Sequence, residues 1–133
     1  MTLRYLNLED YLAGASTVTG TDVDTLLHAA KLNLADSALH APQASFGGED
    51  FYPHFVDKAA VLLTRLTKNH PLLDGNKRAA WVSFRLFIEI IDWVWIDYPS
   101  VDEAELVMIA IANSDWNELA LSKWLQSRIS PNS

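Results

Sequence analysis

The residues of this chain best equipped for chemistry lie together in the stretch His70-Pro71-Leu72-Leu73-Asp74-Gly75-Asn76-Lys77-Arg78. One imidazole, one carboxylate, a glycine and two cations precede an apolar-periodic run from Ala79 to Ile91, which reads as a helix. A loop entering a helix presents backbone N–H groups with no intrahelical acceptor, and the helix dipole adds positive potential at the same place. Such a start favours an anion, phosphate above all. Lys77 and Arg78 would add charge-assisted donors. Asp74 would hold a divalent cation, because magnesium takes one or two carboxylates together with phosphate oxygens. His70, ahead of the turn, would serve as the general base, the role imidazole most often fills.

Several elements must hold that loop in place. Asn7 is an N-cap for a first helix running to about Ser16, closed by the stretch around Gly20. Asp22–Leu32 and Leu34–His40 show apolar residues at three-to-four spacing, as two short helices or one bent one. Residues 41–53 lose that pattern: two prolines, paired glycines and three aromatics suit an exposed loop or a short extended flap. Residues 55–69 place Phe55, Val56, Ala59, Ala60, Leu62, Leu63 and Leu66 on one face, predicting an amphipathic helix that stops at the His70 loop. The helix from Asn76 to Ile91 is apolar on most sides and is expected at the centre. Asp92–Ser100 reads as an irregular connector. Ser100 caps a helix over Val101–Asn113, a last helix spans Asn117–Arg128, and the Ser-Pro-Asn-Ser tail is expected to fray. The expectation is one all-α domain over residues 1–133, a compact bundle of six or seven helices with the flap at 41–53 and the anion-binding loop at 70–78.

Composition narrows the partners. Ten Lys plus Arg against seventeen Asp plus Glu give a formal charge of −7, which disfavours non-specific nucleic-acid binding. Lys68, Lys77, Arg78 and Arg85 nevertheless gather around the loop, a pattern for a small anionic ligand. With no cysteine, disulfides and cysteine zinc sites are excluded. No export signal or spanning segment of about 20 apolar residues is visible, so a soluble, cytoplasmic protein is expected. His28 and His40 read as surface or packing residues, His54 as a residue that could flank the site, and Trp81, Trp93, Trp95, Trp116 and Trp124 as core or interface residues.

His70, Asp74, Gly75, Asn76, Lys77 and Arg78 together resemble the signature His-x-Phe-x-Asp/Asn-Gly/Ala-Asn-Lys-Arg of the Fic/Doc superfamily, and within it the death-on-curing toxins of bacterial toxin–antitoxin pairs. Leu72 stands where that pattern has phenylalanine, keeping an apolar anchor with a looser fit. Tyr5–Asp10, Ser37–Gly48 and Tyr52-Pro53 through Lys58-Ala59-Ala60 carry the resemblance along the chain. It implies that His70 takes the proton from a substrate hydroxyl as that oxygen attacks phosphorus, that Asp74 positions Mg2+, that Gly75 lets the backbone approach the phosphates of ATP, and that the side chains of Asn76, Lys77 and Arg78 bind the same group. Ser45, Phe46, Gly47 and Gly48 would form the flap that pins the target peptide beside the loop. Lys77 fills the glycine position of the broader Fic group and Trp81 the place of a second arginine, for which Arg85 is a partial substitute. That combination resembles the kinase-type members, which transfer the γ-phosphate to a threonine of elongation factor Tu and stop translation, and which are restrained by an antitoxin whose C-terminal segment folds onto a groove. The alternatives are Fic-type nucleotidyl transfer, placing AMP on a protein hydroxyl, and a weakly active regulatory binding module.

Overall fold

The computed structural model describes residues 3–132 and is built from α-helices with two small antiparallel ladders. In chain order these are α1 (Leu8–Thr19), α2 (Val23–Ala29), α3 (Leu32–His40), a 3-10 turn (Ala41–Gln43), β1 (Ser45–Phe46), β2 (Glu49–Asp50), α4 (Phe55–Asn69), α5 (Asn76–Ile90), β3 (Trp93–Trp95), α6 (Val101–Ala112), α7 (Glu118–Leu125) and β4 (Ile129–Pro131). The all-α expectation holds, with seven α-helices among the described residues.

Local chemistry explains most of the boundaries. Asn7 accepts the Asp10 N–H at 2.9 Å while the Asp10 carboxylate accepts the Asn7 N–H at 3.0 Å, a reciprocal box that starts α1. Asp22, Ser100 and Asn117 cap α2, α6 and α7 in the same one-sided way. The first helix runs past the expected Ser16 to Thr19, because Gly20 supplies the left-handed cap only there, at φ 74°.

Helix α4 is the hub. It packs against α3, α5, α6 and α7, and Ala59 to Leu63 and Leu66 are buried in the core. The small Ala59-Ala60 pair lets neighbouring backbones come close, and each fully buried Leu on this helix contributes about 1.5–3 kcal/mol. Helix α5, expected at the centre, lies instead against α1, α4 and β3, with Trp81, Val82, Arg85 and Leu86 only half-buried.

Two expectations fail at the chain's far end. Trp93–Trp95 is not irregular but forms β3, paired with β4 in the register Trp93↔Pro131, Val94↔Ser130 and Trp95↔Ile129. The tail is therefore held as far as Asn132 rather than frayed, Ser133 lying outside the described residues: Ile129 is buried and the Asn132 N–H donates to the Asp92 carbonyl at 2.9 Å. The five tryptophans are half-buried and pack edge-on or tilted against neighbouring rings, Trp95 standing between Trp81, Phe84, Tyr98 and Trp124. Among the described residues no helix is long and apolar enough to cross a membrane.

Candidate active site

His70 is the first residue after α4 and adopts a left-handed conformation, φ 54° and ψ 54°. A non-glycine residue there costs about 1–2 kcal/mol, so its surroundings must hold it. Both neighbours are tied to the start of α3: the Asn69 side-chain amide donates to the Leu34 carbonyl at 2.9 Å, and the Lys31 N–H donates to the Pro71 carbonyl at 2.7 Å. The imidazole between these two ties is exposed and has no hydrogen-bond partner among the described residues. It is held by its backbone and free at its ring.

Leu72 is buried in the core and anchors the loop as the phenylalanine of the family pattern would. Its backbone is closed on by Asn76, whose side-chain oxygen accepts the Leu72 N–H and whose side-chain nitrogen donates to the Leu72 carbonyl, each at 2.8 Å. The buried amide thus braces the loop, using its oxygen and one of its two N–H donors on the Leu72 backbone, a role the sequence did not announce.

Gly75 is required twice over. Its φ is 81°, and a Cβ there would stand 2.6 Å from the Thr19 Cγ2 at the end of α1. The same helix end accepts a hydrogen bond from Arg78, Nη1 to the Val18 carbonyl at 3.1 Å. Helix α5 then begins with no side-chain cap, and the backbone N–H groups of Asn76, Lys77 and Arg78 have no acceptor among the described residues. Residues Asn76, Lys77 and Arg78, together with His70, Leu73, Asp74 and Gly75, line a cavity of about 230 Å³. Lys77 and Arg78 also form one wall of a larger apolar cavity of about 550 Å³, closed by Val18, Trp81, Val82, Val101 and Met108. Sequence patterning gave no sign of this second cavity, whose walls come from α1, α5 and α6.

The donor set suits a polyphosphate: N–H groups without an acceptor among the described residues at a helix start, and two cations. Among the described residues no three His, Cys, Asp or Glu cluster as a self-contained metal site, so a divalent ion at Asp74 would need phosphate oxygens as further ligands.

Other expected participants do not line this cavity. Ser45, Phe46, Gly47 and Gly48 form an exposed hairpin, Ser45 opposite Asp50 and Phe46 opposite Glu49, with Gly47 and Gly48 at positive φ. None of the four lines the cavity beside His70. The hairpin is rooted at the other end of α4, where buried Lys58 donates to the Pro42 carbonyl at 3.1 Å and the Asp50 carboxylate at 3.2 Å. His54 precedes α4 and so stands a helix length from His70, not beside it. Arg85 lines neither cavity; its guanidinium lies 5.1 Å from the Tyr98 ring centroid and 3.6 Å from Glu89. Trp81 occupies the arginine's place as an apolar wall, its ring N–H donated to the Tyr98 hydroxyl at 3.1 Å. Lys58 and Tyr52 were not foreseen, although a lysine set among the apolar positions of α4 was a visible signal. The Tyr52 hydroxyl donates to Glu118 at 3.1 Å, and partial burial together with that carboxylate raises its pKa.

Comparison with known proteins bears on the same residues. A sequence model described as the Fic/DOC family matches residues 5–88, from the segment before α1 into α5. A protein named Toxin Doc, from Mycolicibacterium smegmatis, is 40% identical over 111 residues that cover 84% of this chain and 82% of that protein. No solved structure matches. The matched span takes in α1, the hairpin, α4 and the His70 loop with the start of α5, and on that match the chain belongs to the Fic/DOC family.

Proposed function

We propose that the protein transfers the γ-phosphoryl group of ATP to a hydroxyl of another protein, and that it does so as the toxin of a toxin–antitoxin pair. The observation that carries this reading is that Asn76, Lys77 and Arg78, whose backbone N–H groups have no acceptor among the described residues, line one cavity with His70 and Asp74. Phosphoryl transfer asks mainly for positioning and charge neutralisation, which this loop is built to give. The N–H groups and Lys77 would hold phosphate oxygens, and Arg78 would add its remaining donors while tied to Val18. His70, with an unbonded ring at the cavity edge, would accept the proton of the attacking hydroxyl. A magnesium ion held at Asp74 would neutralise charge on the transferred group. Lys77, bulky where the broader Fic group has glycine, supports terminal-phosphate rather than AMP transfer. Elongation factor Tu is the acceptor suggested by the family resemblance, and the relative named Toxin Doc supports an antitoxin as the restraining partner.

The test incubates the purified protein with magnesium, elongation factor Tu and ATP labelled at either the γ or the α phosphate, beside His70→Ala. Transfer of γ-label alone, lost in the variant, is the expected result. Transfer of α-label would replace the kinase reading with nucleotidyl transfer. Binding of a partner with no transfer of either label would leave the regulatory module.

A further inference from the structure

A groove with a cavity of about 570 Å³ runs along the C-terminal half of α4 and is walled on its far side by the turn between α6 and α7. Its α4 side is formed by Thr64, Arg65, Lys68 and Asn69, so it ends at the residue covalently joined to His70. Its other end meets the root of the hairpin. Glu118 in the groove wall accepts the Tyr52 hydroxyl at 3.1 Å through one oxygen and the Arg65 Nε–H at 3.0 Å through the other. The groove therefore lies along α4 on the side of the His70 loop, next in sequence to His70 but sharing no lining residue with the cavity beside it, and is linked to the hairpin root through Tyr52 and Glu118. From Lys58, which roots the hairpin, to His70 is about three turns of helix, a distance an extended chain covers in about five or six residues.

We propose that this groove holds the stretch of the acceptor protein adjoining its reacting hydroxyl, with an acidic side chain of that stretch set against Lys68; the proposal rests on the reading of the His70 loop as a protein-hydroxyl transferase. Two features select an acidic chain. Arg65 is already paired with Glu118, whereas among the described residues Lys68 contacts the hydroxyl of Ser114, a neutral partner, and no carboxylate. Asp115, next to Ser114 in sequence, does not line the groove. A locally positive groove in a chain of net charge −7 also orients an acidic segment as it approaches. Leu119, 61% exposed on the rim, offers apolar contact to the same chain.

The test uses nonapeptides with one central threonine and either Glu or Lys at each flanking position, assayed with magnesium and γ-labelled ATP on the wild-type protein and on Lys68→Glu. The wild type is expected to favour Glu over Lys at one flanking position by about fivefold, the size of a partly exposed ion pair, and Lys68→Glu to lose or invert that preference at the same position. A flat profile in the wild type, or a Glu preference that survives in Lys68→Glu, overturns the proposal. Should no peptide be labelled, the failure belongs to the transfer reading, and fluorescence anisotropy of the same peptides on His70→Ala and on His70→Ala/Lys68→Glu decides the groove separately. Binding of the Glu peptides that the Lys68 change abolishes supports it; binding indifferent to charge at residue 68 overturns it.

Discussion

Single residues decide how stiff the reacting loop is. Asn76→Ala leaves the Leu72 N–H and carbonyl without partners beside a buried side chain, which costs about 1–3 kcal/mol. The expected outcome is a lower urea midpoint at unchanged slope, together with loss of label transfer. Gly75→Ala meets two obstacles, its φ of 81° and the Thr19 methyl at 2.6 Å. Thr19→Ser removes the methyl and leaves the backbone penalty of about 1–2 kcal/mol, so the double variant should be more stable than the sum of the single changes allows. Additive stabilities in that cycle would remove Thr19 as the obstacle. The residue types of this loop were legible in the sequence because phosphate chemistry uses a small vocabulary. What could not be read was the use of each: Asn76 turns inward to Leu72, and Gly75 answers to a threonine at the end of α1, relations that exist only once α1 and α5 pack.

At the scale of elements, α4 and α5 were readable from their periodicity, whereas the hairpin's attachment and the β3–β4 ladder were not. Both depend on partners distant in sequence, and a two- or three-residue strand carries too little pattern to announce itself. The hairpin is held at two roots, Lys58 on Pro42 and Asp50, and Tyr52 on Glu118. Lys58→Met should free the first root, seen as faster hydrogen exchange at the Phe51 amide, which donates to the Ala44 carbonyl at 2.9 Å, while amides within α4 keep their protection. Unchanged exchange at Phe51 would mean that Tyr52 alone suffices. The second root has a pH signature. Because the folded pKa of Tyr52 is raised above the ordinary tyrosine value of 10.0, the unfolded chain loses this proton first as pH rises. Its contribution to stability is therefore complete below pH 10.0 and is lost as pH climbs through the raised folded value. Tyr52→Phe should flatten that part of the alkaline stability profile, and an identical profile in the variant would assign the loss to other groups.

For the whole molecule, the reacting loop is a meeting point of remote segments: α1 braces Gly75 and Arg78, the start of α3 ties both neighbours of His70, and α6 closes the apolar cavity behind Lys77. The far end of the chain serves stability instead. Deleting residues 129–133 removes buried Ile129 and all of β4, a loss of about 2 kcal/mol or more. The helical far-UV signal should persist while the thermal midpoint falls by several degrees and the near-UV signal of Trp93 and Trp95 weakens. A midpoint that did not move would mean the ladder adds nothing to the bundle. The position of β4 in the chain also sets an order of events during synthesis. Because translation proceeds from the N-terminus, α1 leaves the ribosome before the loop it braces, and every residue lining the cavity beside His70 emerges before β4. The loop thus emerges after α1 and α3, with α6 still to follow. Trp93-Val94-Trp95, by contrast, waits as an unpaired apolar edge on the nascent chain until residues 129–131 emerge, and that interval is when a chaperone or a neighbouring chain has its best opportunity to pair with it.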